Sequence, residues 1–281
     1  MSTPTITGNC FKGHWSFSVD GTKVPSPSKL APKDLTGPAC KATAEWVTDH
    51  WDELARRSVT ERLKLIPGYP AEWSAAADRG TACHKVMENL LNGRPASTTD
   101  PSVLGDATAA ARLVEAFRLS PIASEQPVIH LEQLYAGTTD LIAESDRLGR
   151  AVFDFKFGKR PYASHAIQLA CYNHATNTIE RIDNLGPRGG KLKPSWLVGD
   201  MPQVRTDTAY LIHAHDGVAE LIPVKTDAWV WEAVLITLDL YWGWTVRTDW
   251  DYRDKPSFDD PLGEPIPADT TMDTGDDEIL F

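Results

Sequence analysis

"YAGTTDLIAESDRLGRAVFDFKFGK", residues 135–159, decides how the chain is read. Two runs rich in β-branched and aromatic residues flank a polar turn at Asp146-Arg147, the pattern of a hairpin. Each run carries an acid where a sheet favours a hydrophobe. Asp140 follows Gly137-Thr138-Thr139, and Asp154 lies between two phenylalanines with Lys156 two places on. Side chains alternate across a strand, so Val152, Asp154, Lys156 and Gly158 share one face, and Ala151, Phe153, Phe155 and Phe157 the other, expected to be the buried one. The short turn makes the two strands antiparallel neighbours and brings Asp140, Asp154 and Lys156 to one end of a sheet. Carboxylates held close repel and are costly to desolvate unless a cation sits between them. Mg²⁺ or Mn²⁺, which take hard oxygen ligands, satisfy that need, and Lys156 then faces the reacting group.

Outward from this hairpin, the pattern predicts one α/β core with helical additions. Helical periodicity starts near Cys40 and places Ala44, Val47, Trp51 and Leu54 on one face. Further helices are expected over about 80–91 and 102–118, strands over 127–134, 138–144 and 150–157, and a helix over 163–177. The segment 184–205 reads as a loop. Two strands around the Asp216-Gly217 turn and a long helix over 227–247 complete the body. Residues 1–37, rich in Gly, Pro, Ser and Thr, read as an extended N-terminal arm, 38–250 as a single domain, and 251–281 as a disordered acidic tail.

The net charge of −11 does not exclude a nucleic-acid partner. Residues 251–281 hold ten acids and two bases, a net of −8, which leaves −3 for the other 250 residues. Arg147, Arg150, Lys156, Lys159 and Arg160 cluster around the hairpin. The four cysteines are scattered without a CxxC pair and read as free thiols. With no signal peptide and no membrane-length apolar run, a cytoplasmic location without membrane partners is expected.

The elements in order resemble the PD-(D/E)XK nuclease superfamily, in particular RecB-like exonucleases with phage and CRISPR-associated members. A helix histidine is present as His84 in "GTACHKVME", a GxxD strand as Asp140, a (D/E)xK strand as Asp154 and Lys156, and a QxxxY helix as Gln168 and Tyr172. The resemblance covers residues 80–177. It implies a restriction-endonuclease-like core, a central mixed β-sheet flanked by helices. It further implies His84, Asp140 and Asp154 on Mg²⁺ or Mn²⁺, Asp140, Asp154 and Lys156 in catalysis, and Gln168 and Tyr172 orienting the site or contacting DNA. The activity implied is a metal-dependent DNA nuclease, an exonuclease in recombination, repair or end processing, that hydrolyses phosphodiesters with a metal-activated water. Its alternative is a nuclease-fold DNA-binding adaptor.

Glu132, two residues beyond His130, is a further site candidate, and His213 with His215 reads better as a solvated hairpin end than as a metal pair. No cysteine follows Cys171, so the iron–sulfur cluster of some RecB-like members is not expected. "GPRGGKL" lacks the spacing and hydroxyl of a phosphate loop. The terminal "DTGDDEILF" is similar to the tips of bacterial single-stranded-DNA-binding proteins, with Leu280 where those carry proline. Ile279, Leu280 and Phe281 are thereby candidates for docking a recombination or repair partner. Oligomeric state is open at this stage.

Overall fold

A computed structural model describes residues 4–11, 14–30, 45–65, 71–96, 98–184 and 194–242. The acidic tail, with Ile279, Leu280 and Phe281, lies outside the described residues. Ten strands are present among them: β1 (Ile6–Phe11), β2 (His14–Val19), β3 (Thr22–Lys23), β4 (Ser120–His130), β5 (Tyr135–Ser145), β6 (Gly149–Lys156), β7 (Asn177–Ile182), β8 (Ser195–Asp200), β9 (Thr208–His215) and β10 (Val218–Lys225). The helices are α1 (Pro27–Leu30), α2 (Trp51–Ala55), α3 (Val59–Leu65), α4 (Ala71–Leu91), α5 (Pro101–Ala116), α6 (Ser164–Asn173) and α7 (Ala228–Trp242).

The main sheet runs β10-β9-β6-β5-β4-β7-β8, antiparallel throughout except for the parallel pair β6–β9. The α/β core that the pattern predicts is thus a mixed, mostly antiparallel sheet flanked by helices. Both of its faces are buried, not the phenylalanine face alone. Leu141, Phe153, Phe155, Phe157, Tyr210 and Ile212 pack under α4 and α5. The alternate residues Ile142, Val152, Leu211 and Val224 pack under α6 and α7. This double burial makes the strands nearly continuous hydrophobic runs and makes a charge within them costly.

The strands and helices extend beyond the expected limits in informative ways. The first turns of α4 begin nine residues before the expected start at Gly80. Strand β4 starts at Ser120, upstream of both Pro121 and Pro127. Its partner on the outer side, β7, pairs only with Val128 and Ile129, so the upstream half behaves as an edge where proline is tolerated. The β7–β8 hairpin lies partly in what read as a loop. Leu54 is buried as its periodicity requires, whereas Trp51 is 59% exposed.

The described part of residues 1–37 is not an extended arm. It forms the small antiparallel sheet β1-β2-β3 and the short helix α1, with Ile6, Phe17, Val19, Val24 and Leu30 buried. Phe17 and Trp15 meet Trp196 of β8 edge to face, at 5.6 and 5.3 Å between ring centroids. Pro25 accepts a hydrogen bond from the Ala136 N–H at 3.0 Å, so the segment is stitched onto β5. Cys83 and Cys171 are buried free thiols, and burial pushes Cys83 up to about 11. Among the described residues no helix is long and apolar enough to cross a membrane.

Candidate metal centre

Strands β5 and β6 pair from Ser145↔Gly149 to Leu141↔Phe153 and then part. Continuing that register sets Asp140 opposite Asp154. At the same level on the other side, β4 pairs Ser124↔Leu141 and Gln126↔Thr139, which sets Glu125 opposite Asp140. Three adjacent strands therefore present Glu125, Asp140 and Asp154 in one row. The ladder is broken at this row. Phe155 N–H, beyond the last β5–β6 pair, donates to Asp140 Oδ2 at 2.8 Å. Glu125 has φ +48°, a left-handed conformation that interrupts the regular strand backbone between Ser124 and Gln126 and aims its side chain, while the register shift of β4 lies upstream at Pro121/Ala123.

His84 reaches this row from α4. Its Nδ1 lies 3.5 Å from Asp140 Oδ2, and its ring stands edge to face on Phe157 at 5.2 Å. Ligand atoms of His84, Glu125 and Asp140 all lie within 4.8 Å of one another, an arrangement that one cation can span. Asp154, 1% exposed, is instead ion-paired with Lys156 and accepts from Gln168 Nε2 at 3.4 Å. Of the expected ligands, His84 and Asp140 are grouped with Glu125, while Asp154 holds the lysine.

The electrostatics fit a site that wants positive charge. Burial raises Asp154 above the ordinary carboxylate range, Asp140 adds to the rise, and Lys156 opposes it. Burial would pull Lys156 down, but Asp154 and Asp140 outweigh it and hold the ammonium above its usual value. Glu125 is an exposed residue by surface area, yet its carboxylate is crowded by the site. Desolvation, then the charges of Asp140, Glu88 and Asp154, push it up to about 8. Carboxylates strained in this way are relieved by a divalent ion.

Gln168 and Tyr172 come together as their spacing predicts. Gln168 Nε2 donates to Tyr172 Oη at 3.3 Å, so the amide links the tyrosine to Asp154. Tyr172 is 4% exposed and touches the strand at Gly137, where a Cβ would stand 3.1 Å from its ring. Glu132 is not part of the site. It sits in the β4–β5 turn, past the end of β4, which is itself five residues and roughly 16 Å of strand beyond the Asp140 level. Glu125 stands in this row instead, and the signal that could have found it is the acid in "SPIASEQPV", which an expected strand start at 127 leaves outside the sheet. His213 is not a solvated end either: it is 8% exposed, with Nε2 2.8 Å from Gly158 O and Nδ1 2.9 Å from Glu220. No family model matches this chain, and no curated protein matches its sequence.

Proposed function

We propose that the protein is a metal-dependent DNA nuclease built on a restriction-endonuclease-like core of RecB-like type. The observation that carries this reading is the row Glu125, Asp140 and Asp154 across three adjacent strands, with His84 on one side and Lys156 on Asp154. A purely structural ion network would not set three acids side by side in a sheet buried on both faces. The succession of His84 on α4, Asp140 on β5, Asp154 and Lys156 on β6, and Gln168 with Tyr172 on α6 also supports it, as this is the order that the resemblance implies.

His84, Glu125 and Asp140, with Asp154 beside them, fit a hard divalent ion such as Mg²⁺ or Mn²⁺. When bound, such an ion lowers the pKa of water and offsets negative charge on a phosphoryl group. Lys156, kept cationic by Asp154, is the donor for an oxygen of the phosphate under attack. Gln168 holds Asp154 in place and is itself held by Tyr172, so this pair positions the acid. DNA is the partner in this reading, with exonucleolytic end processing the activity.

The test is cleavage of end-labelled linear and sealed circular DNA in Mg²⁺, in Mn²⁺ and in EDTA. Asp154→Ala and Lys156→Ala should each slow metal-dependent loss of linear DNA by at least about a hundredfold. Survival of the sealed circle assigns an exonuclease. Tight binding at low salt without cleavage in either ion would instead mark a nuclease-fold adaptor and sink the reading.

A further inference from the structure

We infer that residues 158–163, the loop from β6 to α6, bind an unpaired DNA strand, with Lys159 and Arg160 on phosphates and Tyr162 stacking a base. The identity of the polymer rests on the nuclease reading above; the loop itself is argued from its own geometry. Both ends of the loop are tied to the candidate centre. It leaves β6 directly after Lys156, where Phe157 O accepts from Arg79 Nη1 at 3.1 Å and Gly158 O faces His213 Nε2 at 2.8 Å. It ends where α6 starts, one turn before Gln168 reaches Asp154. Arg160 is four residues from Lys156, at most about 14 Å along the chain, so the loop's cations flank whatever Lys156 serves.

The charge pattern separates the loop from the centre. No acid occurs between Asp154 and Glu180, and Lys159 and Arg160 are both exposed. The acids thus gather on the strand row and exposed cations on the loop, which suits a polyanion whose phosphates pass from one to the other. Tyr162 adds what a phosphate site alone does not need. Its ring is 52% exposed, with the Arg160 guanidinium 5.4 Å from the centroid and the His165 ring edge to face at 5.6 Å. The Tyr162 N–H donates to His165 Nδ1 at 3.2 Å, and Pro161 fixes the intervening backbone. An exposed aromatic ring held in shape beside the Arg160 guanidinium, with Lys159 three residues away in the chain, is a stacking platform, tolerant of sequence because every base has a π-face. A base inside an intact duplex is already stacked and cannot use it, which commits the loop to an unpaired strand.

The test is fluorescence anisotropy with a labelled thymidine homopolymer of about 12 nucleotides, a length within the usual site size. It is run in Ca²⁺ with strand integrity checked on a gel. Tyr162→Ala should weaken binding about tenfold, Tyr162→Trp should restore it, and thermal unfolding of both should match the parent. Lys159→Ala with Arg160→Ala should lower the slope of log affinity against log salt by about 1.4, and blunt duplex should compete poorly. Unchanged binding by Tyr162→Ala, or equal competition by duplex, overturns the inference. Cleavage by the parent chain in Mg²⁺ keeps the two readings apart. Loss of binding in Tyr162→Ala without any cleavage by the parent leaves the loop standing and fells the nuclease. Cleavage that Tyr162→Ala does not alter, with unchanged binding, does the reverse.

Discussion

Gly137 has no room for a side chain. A Cβ there would stand 2.6 Å from Pro27 Cδ and 3.1 Å from the Tyr172 ring, so the glycine of the GTTD segment is where α1, β5 and α6 close on one another. Gly137→Ala should cost about 1–3 kcal/mol, read as a lowered denaturant midpoint, because neither Pro27 nor the buried tyrosine is the far end of a flexible chain. Glu125 is the residue that most separates this centre from a simple two-acid site. Glu125→Gln should weaken Mn²⁺ binding, measured by calorimetry on the intact protein, by more than the about tenfold that loss of an outer partner costs. An unchanged affinity would remove Glu125 from the ligand set. At this scale Asp154 and Lys156 were legible because alternation fixes that they share a face, and Asp140 because a short turn pairs its strand with theirs. Glu125 was not, because a left-handed backbone at φ +48° aims its side chain, and no local pattern marks a glutamate for that conformation.

The end of β6 is the element on which the centre depends, and it is clamped from two sides. Asp106, 1% exposed on α5, is ion-paired with Arg79 of α4 and accepts from the Gly217 N–H of the β9–β10 turn at 2.8 Å. Arg79 in turn holds Phe157 O, so four elements meet at one buried carboxylate. Asp106→Ala strands a three-quarters-buried guanidinium and an amide. It should cost about 2 kcal/mol by chemical denaturation and should also slow any cleavage by letting Lys156 wander. The helices α4, α5 and α6 and the Asp216-Gly217 turn, with φ of +52° and +75°, follow from periodicity and turn chemistry. The β1-β2-β3 sheet does not. Its strands are held by distant partners, notably Trp196, against which Gly8 lies so closely that a Cβ would come within 2.6 Å of the indole.

Across the whole molecule, α7 is fastened to the sheet through an aromatic stack whose histidines are kept neutral. The Trp231 ring lies 4.3 Å from His174 and 5.7 Å from His130. Nε2 of His174 donates to Thr226 O at 3.0 Å, and Nδ1 of His130 accepts from the Gln133 N–H at 3.2 Å. Burial lowers both imidazoles, against the pull of Glu132 on His130 and of backbone carbonyls on His174. Since the folded values lie below the unfolded ones, the unfolded chain binds more protons in acid. The share of stability owed to these two histidines should therefore be level above about pH 6.5 and fall as pH drops below it, at a limiting slope of about 1.4 kcal/mol per unit for each; Glu125, raised to about 8, acts in the opposite direction, so the difference between parent and His174→Gln is the quantity read. Urea midpoints in a pH series check this, and His174→Gln should flatten the fall. The sequence by itself determined the mixed α/β class, the hairpin carrying Asp140, Asp154 and Lys156, and the Gln168–Tyr172 pair, because these rest on periods of 2 and 3.6 residues within one segment. Tertiary structure alone decided that Glu125 and not Glu132 joins the row, that residues 1–37 fold back as a sheet, and that His213 and Arg79 clamp the end of β6. Those outcomes depend on register between strands and on contacts between residues far apart in the chain, which no local pattern encodes.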